Sequence, residues 1–168
     1  MIALVAACML SACARNVNST KLDFSMGEKV PNGPLTYTVV ESSWRTELGQ
    51  GFKIRTPQNR FLMITLSATN GGGNDVTLPL FSMEDGNGKT YTEMENGEGV
   101  ENWFGFLRSL APAQTRQGRL VFDVPLASYR LKLPNGGEAG EEVYVTVQIP
   151  LRLDMDSVQA PLPGGFGK

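Results

Sequence analysis

Residues 143–149 read Val-Tyr-Val-Thr-Val-Gln-Ile, with valine or isoleucine at every second position. A period of two is typical of a β-strand with one buried face, because successive side chains of a strand point to opposite faces. An amphipathic helix would instead repeat its apolar residues every three to four positions. This stretch therefore predicts a strand whose odd-numbered residues face a core.

The same alternation recurs in four segments upstream. Their predicted core positions are Leu35, Tyr37 and Val39; Leu62, Ile64, Leu66 and Ala68; Leu120, Phe122 and Val124; and Tyr129, Leu131 and Leu133. Clusters of glycine and asparagine at 70–74, 85–88 and 134–137 supply the positive φ angles that hairpins and tight loops require. Short strands separated by such turns predict an all-β chain folded as an antiparallel β-sandwich.

The flanking composition suggests four segments. Residues 13–33 are mostly polar with isolated apolar positions, which is typical of a flexible tether. The sandwich is predicted to span residues 34–153. Residues 154–168 are rich in proline and glycine, so a disordered tail is expected. Residues 1–12 are predicted to be a signal peptide.

The N-terminal segment is apolar or small from Ile2 to Leu10, and Ser11, Ala12 and Cys13 follow. Such a core followed by small residues is typical of a secretion signal. The run is shorter than the ~20 apolar residues that a transmembrane helix needs. Leu10-Ser11-Ala12-Cys13 resembles the lipobox of bacterial lipoproteins. The resemblance implies that signal peptidase recognises the first three residues and that Cys13 becomes a lipid-modified first residue, anchoring the chain to a membrane.

The localisation has two open points. The first alternative to a lipobox is an ordinary secretory signal that contains a cysteine by chance. The second point concerns the start of the chain: no Lys or Arg precedes the apolar run, so the true start codon lying upstream of Met1 is also an alternative. Ala14 follows the predicted lipidated residue, where an aspartate commonly retains lipoproteins in the inner membrane. By the same resemblance, the outer membrane is expected in a host that has one.

Charge and composition argue against several functional classes. The chain carries 15 Lys and Arg against 17 Asp and Glu, with scattered basic residues, so no nucleic-acid partner is expected. It has no histidine, and Cys13 would be the only cysteine after signal cleavage. Ser-His-Asp chemistry is therefore excluded, and we expect no catalytic residues, no metal site and no cofactor.

Two acidic pairs keep a weaker enzymatic hypothesis open. Glu93 with Glu95, or Asp154 with Asp156, supplies the groups of a paired-carboxylate site. At this spacing on a strand both members lie on one face, and such a pair is more simply the solvated side of a sandwich. An enzyme is the least favoured of the functions considered.

Residues 84–88, Glu-Asp-Gly-Asn-Gly, have the composition of a calcium loop. An EF-hand loop starting at Asp85 would need a glutamate at its twelfth position, which is Asn96. A hairpin needs only the Asp-Gly and Asn-Gly turn chemistry and is favoured.

Trp103, Phe104 and Phe106 form an aromatic group in a loop-like segment. They are candidate partner-binding residues, because exposed aromatic side chains give a large contact area for little entropy. Alternatively they cap one open end of the core, since monomers rarely expose a large apolar patch. The capping interpretation is favoured.

The order of the segments resembles a known family. Residues 37–40, a strand ending in Thr69-Asn70, the turn at 85–91 and the strand at 118–125 follow one another as in the extracellular immunoglobulin-like domain of unknown function found in many bacterial lipoproteins. That domain is similar in fold to a secreted mycobacterial immunoprotective antigen. The likeness covers roughly residues 34–150, with Pro112-Ala113 where the family usually has Pro-Gly. It implies an immunoglobulin-like sandwich and transfers no catalytic residue.

The leading functional hypothesis is an exported, membrane-anchored lipoprotein whose immunoglobulin-like domain is a non-catalytic binding or structural module of the cell envelope, with an envelope protein as possible partner. The alternative is a lipoprotein that binds a small ligand or calcium.

Overall fold

A computed structural model of the protein describes residues 22–106, 108–137 and 140–152. The predicted signal peptide with Leu10, Ser11 and Ala12, the predicted lipidation site Cys13 and the predicted tail at 154–168 all lie outside these residues. In the described part no helix has the length and apolar character needed to cross a membrane.

The regular secondary structure of the described residues consists of β-strands and one short 3-10 turn, Gly51–Lys53. The strands are β1 (Asp23–Ser25), β2 (Val30–Asn32), β3 (Leu35–Arg45), β4 (Arg60–Asn70), β5 (Val76–Thr77), β6 (Ser82–Asp85), β7 (Thr90–Thr92), β8 (Ser109–Leu110), β9 (Thr115–Val124), β10 (Tyr129–Pro134) and β11 (Tyr144–Ile149).

Two sheets form the sandwich. The first sheet has the order β1-β11-β10-β6-β7 and the second sheet has the order β2-β3-β4-β9, while β5 and β8 form a small separate pair. The chain passes from one sheet to the other between β1 and β2, between β4 and β6, between β7 and β9, and between β9 and β10. This alternation is the Greek-key arrangement of immunoglobulin-like domains. The predicted all-β antiparallel sandwich is confirmed, with β1 pairing parallel to β11 as an addition at one edge.

The sandwich has two ends, which we call proximal and distal. The proximal end contains the start of β1, the turn between β2 and β3 and the loop between β10 and β11. These lie together, since the Asn32 side chain donates to the carbonyl oxygens of Leu133 (2.9 Å) and Val143 (2.8 Å). The distal end contains the end of β3, the start of β4 and the turns after β6 and β9. The described chain leaves at the distal end, where Leu151 N donates to Ser128 Oγ at 3.1 Å.

The predicted core positions are buried between the two sheets, as the period of two requires. Val143 is the exception. It lies one residue before β11 and is 57% exposed.

Tyr129 closes the corner between β9 and β10. Its hydroxyl donates to the carbonyl oxygen of Pro125 at 2.6 Å, and its ring contacts Tyr91 and Trp44. This is the tyrosine corner of immunoglobulin-like sandwiches. Desolvation, with smaller effects from Tyr91 and Asp85, raises the pKa of Tyr129 to about 12. The hydroxyl therefore keeps its proton and its donor role at neutral pH.

The structure corrects the predicted tether. Residues 23–25 and 30–32 are strands of the two sheets, and Phe24 and Val30 are buried in the core. The prediction of a tether up to residue 33 is therefore wrong, and the domain begins by Asp23. Strands of three residues bury a single apolar side chain each, so their composition cannot be distinguished from that of a polar linker.

A β-bulge interrupts β3. Val39 pairs with Leu66 and Glu41 pairs with Thr65, so Val40 is an extra residue on one side of the ladder. Such an insertion reverses which side chains face the core. Before the bulge the odd-numbered residues are buried, whereas after it Trp44 packs against the core. Glu41, Ser43 and Arg45 consequently point to the outer face of the second sheet.

The turn that leads into β9 contains a strained residue. Gln114 N donates to Ala111 O at 3.0 Å across Pro112-Ala113, and Ala113 has φ +61°. Proline followed by a residue with positive φ is a type II turn, which normally has glycine at that second position. Ala113 thus adopts the backbone conformation of a glycine, the residue that follows this proline in the family that the sequence resembles.

Candidate functional site

Two long loops fold back over the outer face of the second sheet at its distal half. They are the β3–β4 loop (46–59) and the loop after β7 (93–108). Together with the sheet they enclose a second, small core formed by Leu48, Phe61, Met63 and Val121, with Met94 and Val100 packed against it. Met63 and Val121 belong to the outward-facing residues of β4 and β9. The loops therefore convert half of a solvent-facing sheet into a covered surface.

The two loops are joined by several polar contacts. Arg55 Nη1 donates to the carbonyl oxygens of Asn96 (3.1 Å) and Glu98 (2.8 Å), and Lys53 Nζ lies 3.6 Å from Glu98 Oε1. The backbones meet at Gly49 and Gly99, where a Cβ on Gly99 would lie only 2.6 Å from Gly49 N. Both residues also have positive φ. Glycine is thus required at the point where the loops cross.

A polar cleft of about 810 Å³ opens beside this crossing. Its floor is the part of β3 that follows the bulge, and its walls are the two loops and β9. The lining residues are Glu41, Ser42, Ser43, Arg45, Glu47, Leu48, Gly49, Gln50, Met63, Gly99, Glu101 and Arg119. A smaller recess, which shares Glu41 and Arg119 with it, adjoins the cleft and adds Thr65, Asn102 and Gln117.

Three of the charged side chains that line the polar cleft, Glu41, Glu101 and Arg119, contact neighbouring groups. Thr65 Oγ1 donates to Glu41 Oε1 at 3.0 Å across the β3–β4 ladder. Arg119 Nη1 lies 3.6 Å from Glu101 Oε2 and 3.5 Å from the Glu101 carbonyl oxygen. Arg119 is also fixed through its backbone, because its N–H donates to Asn102 O at 2.8 Å and its carbonyl accepts from Phe104 N at 2.9 Å. The cleft therefore presents carboxylates, guanidinium groups and hydroxyls, and Arg119 is the charged residue among them with the most contacts.

This lining suits non-covalent binding of a polar partner with groups of both charges. Carboxylates accept and guanidinium groups donate hydrogen bonds, and both types are strengthened when one member is ionised. Among the described residues, no three metal-ligating side chains come together.

The tip of the β3–β4 loop adds an apolar element next to the cleft. Phe52 is fully exposed and Ile54 is nearly half exposed, both close in sequence to the cleft residue Gln50. Aromatic side chains are enriched among residues that dominate binding energies. Phe52 is therefore an exposed aromatic side chain two residues from the cleft lining.

The three aromatic residues predicted as a partner anchor separate in the structure. Phe104 is buried in the main core, packed edge-on against Phe81 with ring centroids 6.0 Å apart. Trp103 is half-buried, with Gly97 against its ring and Phe106 at 6.2 Å. Phe106 is 61% exposed. Phe104 thus takes the capping role, while Phe106 stays available as a contact residue.

The acidic pair Glu93 and Glu95 does not form a shared site. Glu93 is buried and forms an ion pair with Arg108, whereas Glu95 is exposed. Arg108 also donates to the carbonyl oxygens of Gly105 and Pro79, and its guanidinium lies over the rings of Phe81 and Phe104. The ion pair joins the two ends of the loop at 93–108, so it holds in place the loop that forms one wall of the cleft.

The segment at 84–88 forms the end of β6 and the turn of the β6–β7 hairpin, and a hairpin is what the sequence favoured. Asp85 Oδ1 accepts hydrogen bonds from Asn87 N (2.8 Å) and Lys89 N (3.0 Å). Desolvation acts in the opposite direction, but these hydrogen bonds, helped by Tyr91, lower the pKa of Asp85. The carboxylate thus stabilises the turn.

Sequence reasoning missed the cleft residues Glu41, Arg45 and Arg119, as well as Phe52. One signal was present. The apolar positions of β3 are odd-numbered up to Val39 and even-numbered at Trp44, and this change of parity indicates a bulge. No such signal in the sequence pattern identifies Arg119, because its surroundings depend on a loop about twenty residues earlier in the chain.

Solved structures with a similar fold come from several bacteria. The yjhA protein from Bacillus subtilis superposes with a TM-score of 0.58 at 16% sequence identity, covering 75% of this chain and 98% of that one. A candidate lipoprotein from Bacillus subtilis, ycdA, gives 0.57 at 15% identity over 74% of this chain and 39% of its own. The secreted protein MPT63 from Mycobacterium tuberculosis gives 0.55 at 14% identity over 79% and 98%. These likenesses establish the fold alone.

No protein with a curated description matches the sequence. The family whose description reads "Domain of unknown function (DUF4352)" matches residues 24–142, which begin within β1 and end in the loop before β11. With that match extending over more than half of its length, the chain belongs to the DUF4352 family.

Proposed function

We propose that the protein is an exported bacterial lipoprotein, anchored to a membrane through Cys13, whose immunoglobulin-like domain is a non-catalytic binding module of the cell envelope. The polar cleft is its binding site. The anchor is supported by the lipobox-like segment Leu10–Cys13 and by the fold shared with a candidate lipoprotein and a secreted protein.

The observation that carries the binding role is the polar cleft. Two loops, a glycine crossing and a buried ion pair all serve to hold charged side chains around one depression. Its volume lies within the ~300–1,000 Å³ of typical ligand sites, but its lining is more polar than theirs. A polar segment of an envelope protein fits this lining better than an apolar small molecule.

The anchor leads to a first expected result. Cys13→Ala should abolish membrane association, because each buried CH₂ of the acyl chains contributes about 0.8 kcal/mol and this contribution is lost with the lipid. Cell fractionation with and without globomycin would measure it. Cys8→Ala, inside the apolar core of the signal, is the matched control and should leave the protein in the membrane fraction. Sedimentation of the Cys13→Ala protein with salt-washed membranes would contradict lipid anchoring.

The cleft leads to a second expected result. We expect Arg119→Ala to weaken partner retention roughly tenfold or more, since truncating a hot-spot arginine costs about 2 kcal/mol or more and about 1.4 kcal/mol is a factor of ten. The measurement is quantitative capture of proteins from detergent-solubilised envelopes on immobilised wild-type and variant protein.

Lys132→Ala is the matched control for this experiment. Lys132 resembles Arg119 in being about 30% exposed and ion-paired with a glutamate, here Glu84 at 3.0 Å, but it lies on the first sheet. A protein retained by wild type and by Lys132→Ala, and lost with Arg119→Ala, supports the cleft. Equal losses with both variants would contradict it.

A further inference from the structure

We propose that the edge of β3 between Glu41 and Arg45 binds a second copy of this chain, as an antiparallel pair of β3 strands related by a two-fold axis at Ser43. The second sheets of the two copies then form one continuous sheet, with four strands from each copy. The inference goes beyond the proposed function, because it requires neither the lipid anchor nor the envelope partner.

The distal half of β3 is paired on one side only. Residues 41–45 pair with β4, whereas β2 on the other side pairs only with residues 35–37. The β1–β2 turn continues along this edge as far as Val39, whose carbonyl oxygen accepts from Gly27 N at 2.8 Å. Within the described residues, no backbone hydrogen bond reaches residues 41–45 from the side away from β4. This half of β3 is therefore an open sheet edge.

Two residues of the open edge present backbone groups to a second strand. The Val39 carbonyl points away from β4, and every second residue of a strand repeats this direction. The bulge at Val40 shifts the series by one, so beyond it Ser42 and Trp44 direct their N–H and C=O groups outwards. Their side chains face the sandwich, where Ser42 Oγ donates to Met26 Sδ at 3.7 Å and Trp44 packs on the core. Their outward backbone groups remain for a partner strand.

The two edges of the second sheet differ in their protection. Natural proteins protect sheet edges with proline, inward-pointing charges or a covering segment. Residues 41–45, Glu-Ser-Ser-Trp-Arg, contain no proline, and both of their charged side chains lie on the outer face. The opposite edge, β9, is covered by the loop at 93–108, since Met94 N donates to Val121 O and Phe104 N donates to Arg119 O. Pairing can therefore continue at β3.

The charges of the open edge select a second copy as its occupant. Glu41 and Arg45 are symmetric about Ser43 and share one face of the strand. In an antiparallel pair centred on Ser43, Glu41 of each copy lies directly opposite Arg45 of the other, so two ion pairs form across the seam. Neither residue has an ion pair within the described part of the chain, and Glu41 uses only Oε1 to accept from Thr65. A two-fold interface requires such a self-complementary patch.

The dimer also brings the two polar clefts together. A two-fold axis perpendicular to the sheet keeps the outer faces of both copies on the same side. Because Glu41, Ser43 and Arg45 belong to the lining of the cleft, the clefts of the two copies open next to each other. A partner that contacts both clefts is then held by two linked contacts, which strengthens binding without any new contact.

Disulfide cross-linking of the purified full chain tests the seam. Ser43→Cys places a thiol opposite that of the second copy, and directly opposite residues have Cα atoms about 4.5–5.5 Å apart, within the range of a disulfide. Ser67→Cys is the matched control, since Ser67 is half-buried on the same outer face but lies on the inner strand β4. Under copper-phenanthroline oxidation we expect severalfold more dimer from Ser43→Cys than from Ser67→Cys or from wild type, whose own cysteines set the background.

Charge reversal tests the register in the Ser43→Cys background. Glu41→Arg or Arg45→Glu alone sets like charges opposite each other and should reduce the cross-linked fraction severalfold. The double variant recreates both ion pairs with exchanged partners and should restore it. Four strand residues separate Glu41 from Arg45 by about 13 Å within one copy, too far for an ion pair. Recovery in the double variant therefore reports the dimer and not the fold of the monomer.

Three results would overturn the dimer. The first is cross-linking of Ser43→Cys no greater than that of Ser67→Cys. The second is a double charge variant that cross-links as weakly as the single variants. The third is a cross-linked product of another mass, formed by Ser43→Cys in intact envelopes and absent with the purified chain, which would assign the edge to a strand of a different protein.

Discussion

Replacing Glu93 by alanine is expected to lower the free energy of unfolding by about 3–5 kcal/mol, because it leaves the buried guanidinium of Arg108 without its counter-charge. Both side chains are almost fully inaccessible. The carbonyl oxygens of Gly105 and Pro79 remain as acceptors but carry no full charge. Urea unfolding followed by tryptophan fluorescence would give the value.

Two further variants make this result specific. Glu95→Ala changes an exposed carboxylate two residues away and should shift stability by less than about 0.5 kcal/mol. The double variant Glu93→Leu with Arg108→Met should recover most of the loss, because apolar replacement of a buried ion pair is often neutral or stabilising. A Glu93→Ala protein as stable as wild type would contradict the role given to the ion pair.

The pH dependence of this effect has a definite sign. Burial raises the pKa of Glu93 above its ordinary value of 4.5, against the hydrogen bond and charge of Arg108. When folding raises the pKa of a carboxyl group, the protonated group favours the folded state. Its contribution to the free energy of unfolding is fully present below the unfolded-state pKa, and it is lost as the pH rises through the folded-state pKa. Relative to Glu93→Gln, wild type should therefore be more stable at about pH 4 than at about pH 7.

Phe104→Ala is the second variant with a large expected effect. Removing a fully buried phenylalanine costs roughly 3–5 kcal/mol, through lost burial and the cavity that remains. At this site the cost also includes the edge-on contact with Phe81 and the guanidinium groups of Arg108 and Arg116, which lie 5.4 and 5.3 Å from the ring centroid. The midpoint of urea unfolding, at unchanged slope, would report the loss.

Phe106→Ala provides the matched control, because the same substitution two residues along removes a mostly exposed ring. Its stability should stay within about 0.5 kcal/mol of wild type. The pair of variants therefore separates the capping residue from the exposed one within a single aromatic segment. Equal destabilisation by both would mean that Phe106 is also part of the core.

The alternation of apolar residues was sufficient to predict the long strands and the sandwich. It works at positions such as Leu62 to Ala68 because one face of each strand packs against the opposite sheet, which is a local and periodic requirement. It failed at β1 and β2, where a strand of three residues contains too few positions to show a period. Hydrogen bonds from β11 and β3 define these strands, and they involve residues distant in sequence.

The candidate site was much less accessible from the sequence. Met63 and Val121 look like residues on a solvent-facing side of their strands, and they are buried only because loops from elsewhere cover them. Glu93 is a charged residue that the sequence places on the surface, whereas its burial depends on Arg108 fifteen residues later. In both cases the residues are buried by contacts with segments distant in sequence, so the neighbouring residues in the sequence do not indicate their burial.

The parallel pairing of β1 with β11 has a mechanical consequence. If the lipid holds the chain ahead of Leu22 and a bound partner pulls at the distal cleft, the tension runs along the axis of β1. Its hydrogen bonds and side-chain contacts to β11, including those of Thr146 and Gln148 with Asp23, are then sheared simultaneously rather than opened one after another. A strand of three residues would thereby act as a clamp between the anchor and the folded domain. Resistance to pulling would depend on how quickly this clamp ruptures, which is a kinetic property, and not on the equilibrium stability of the core.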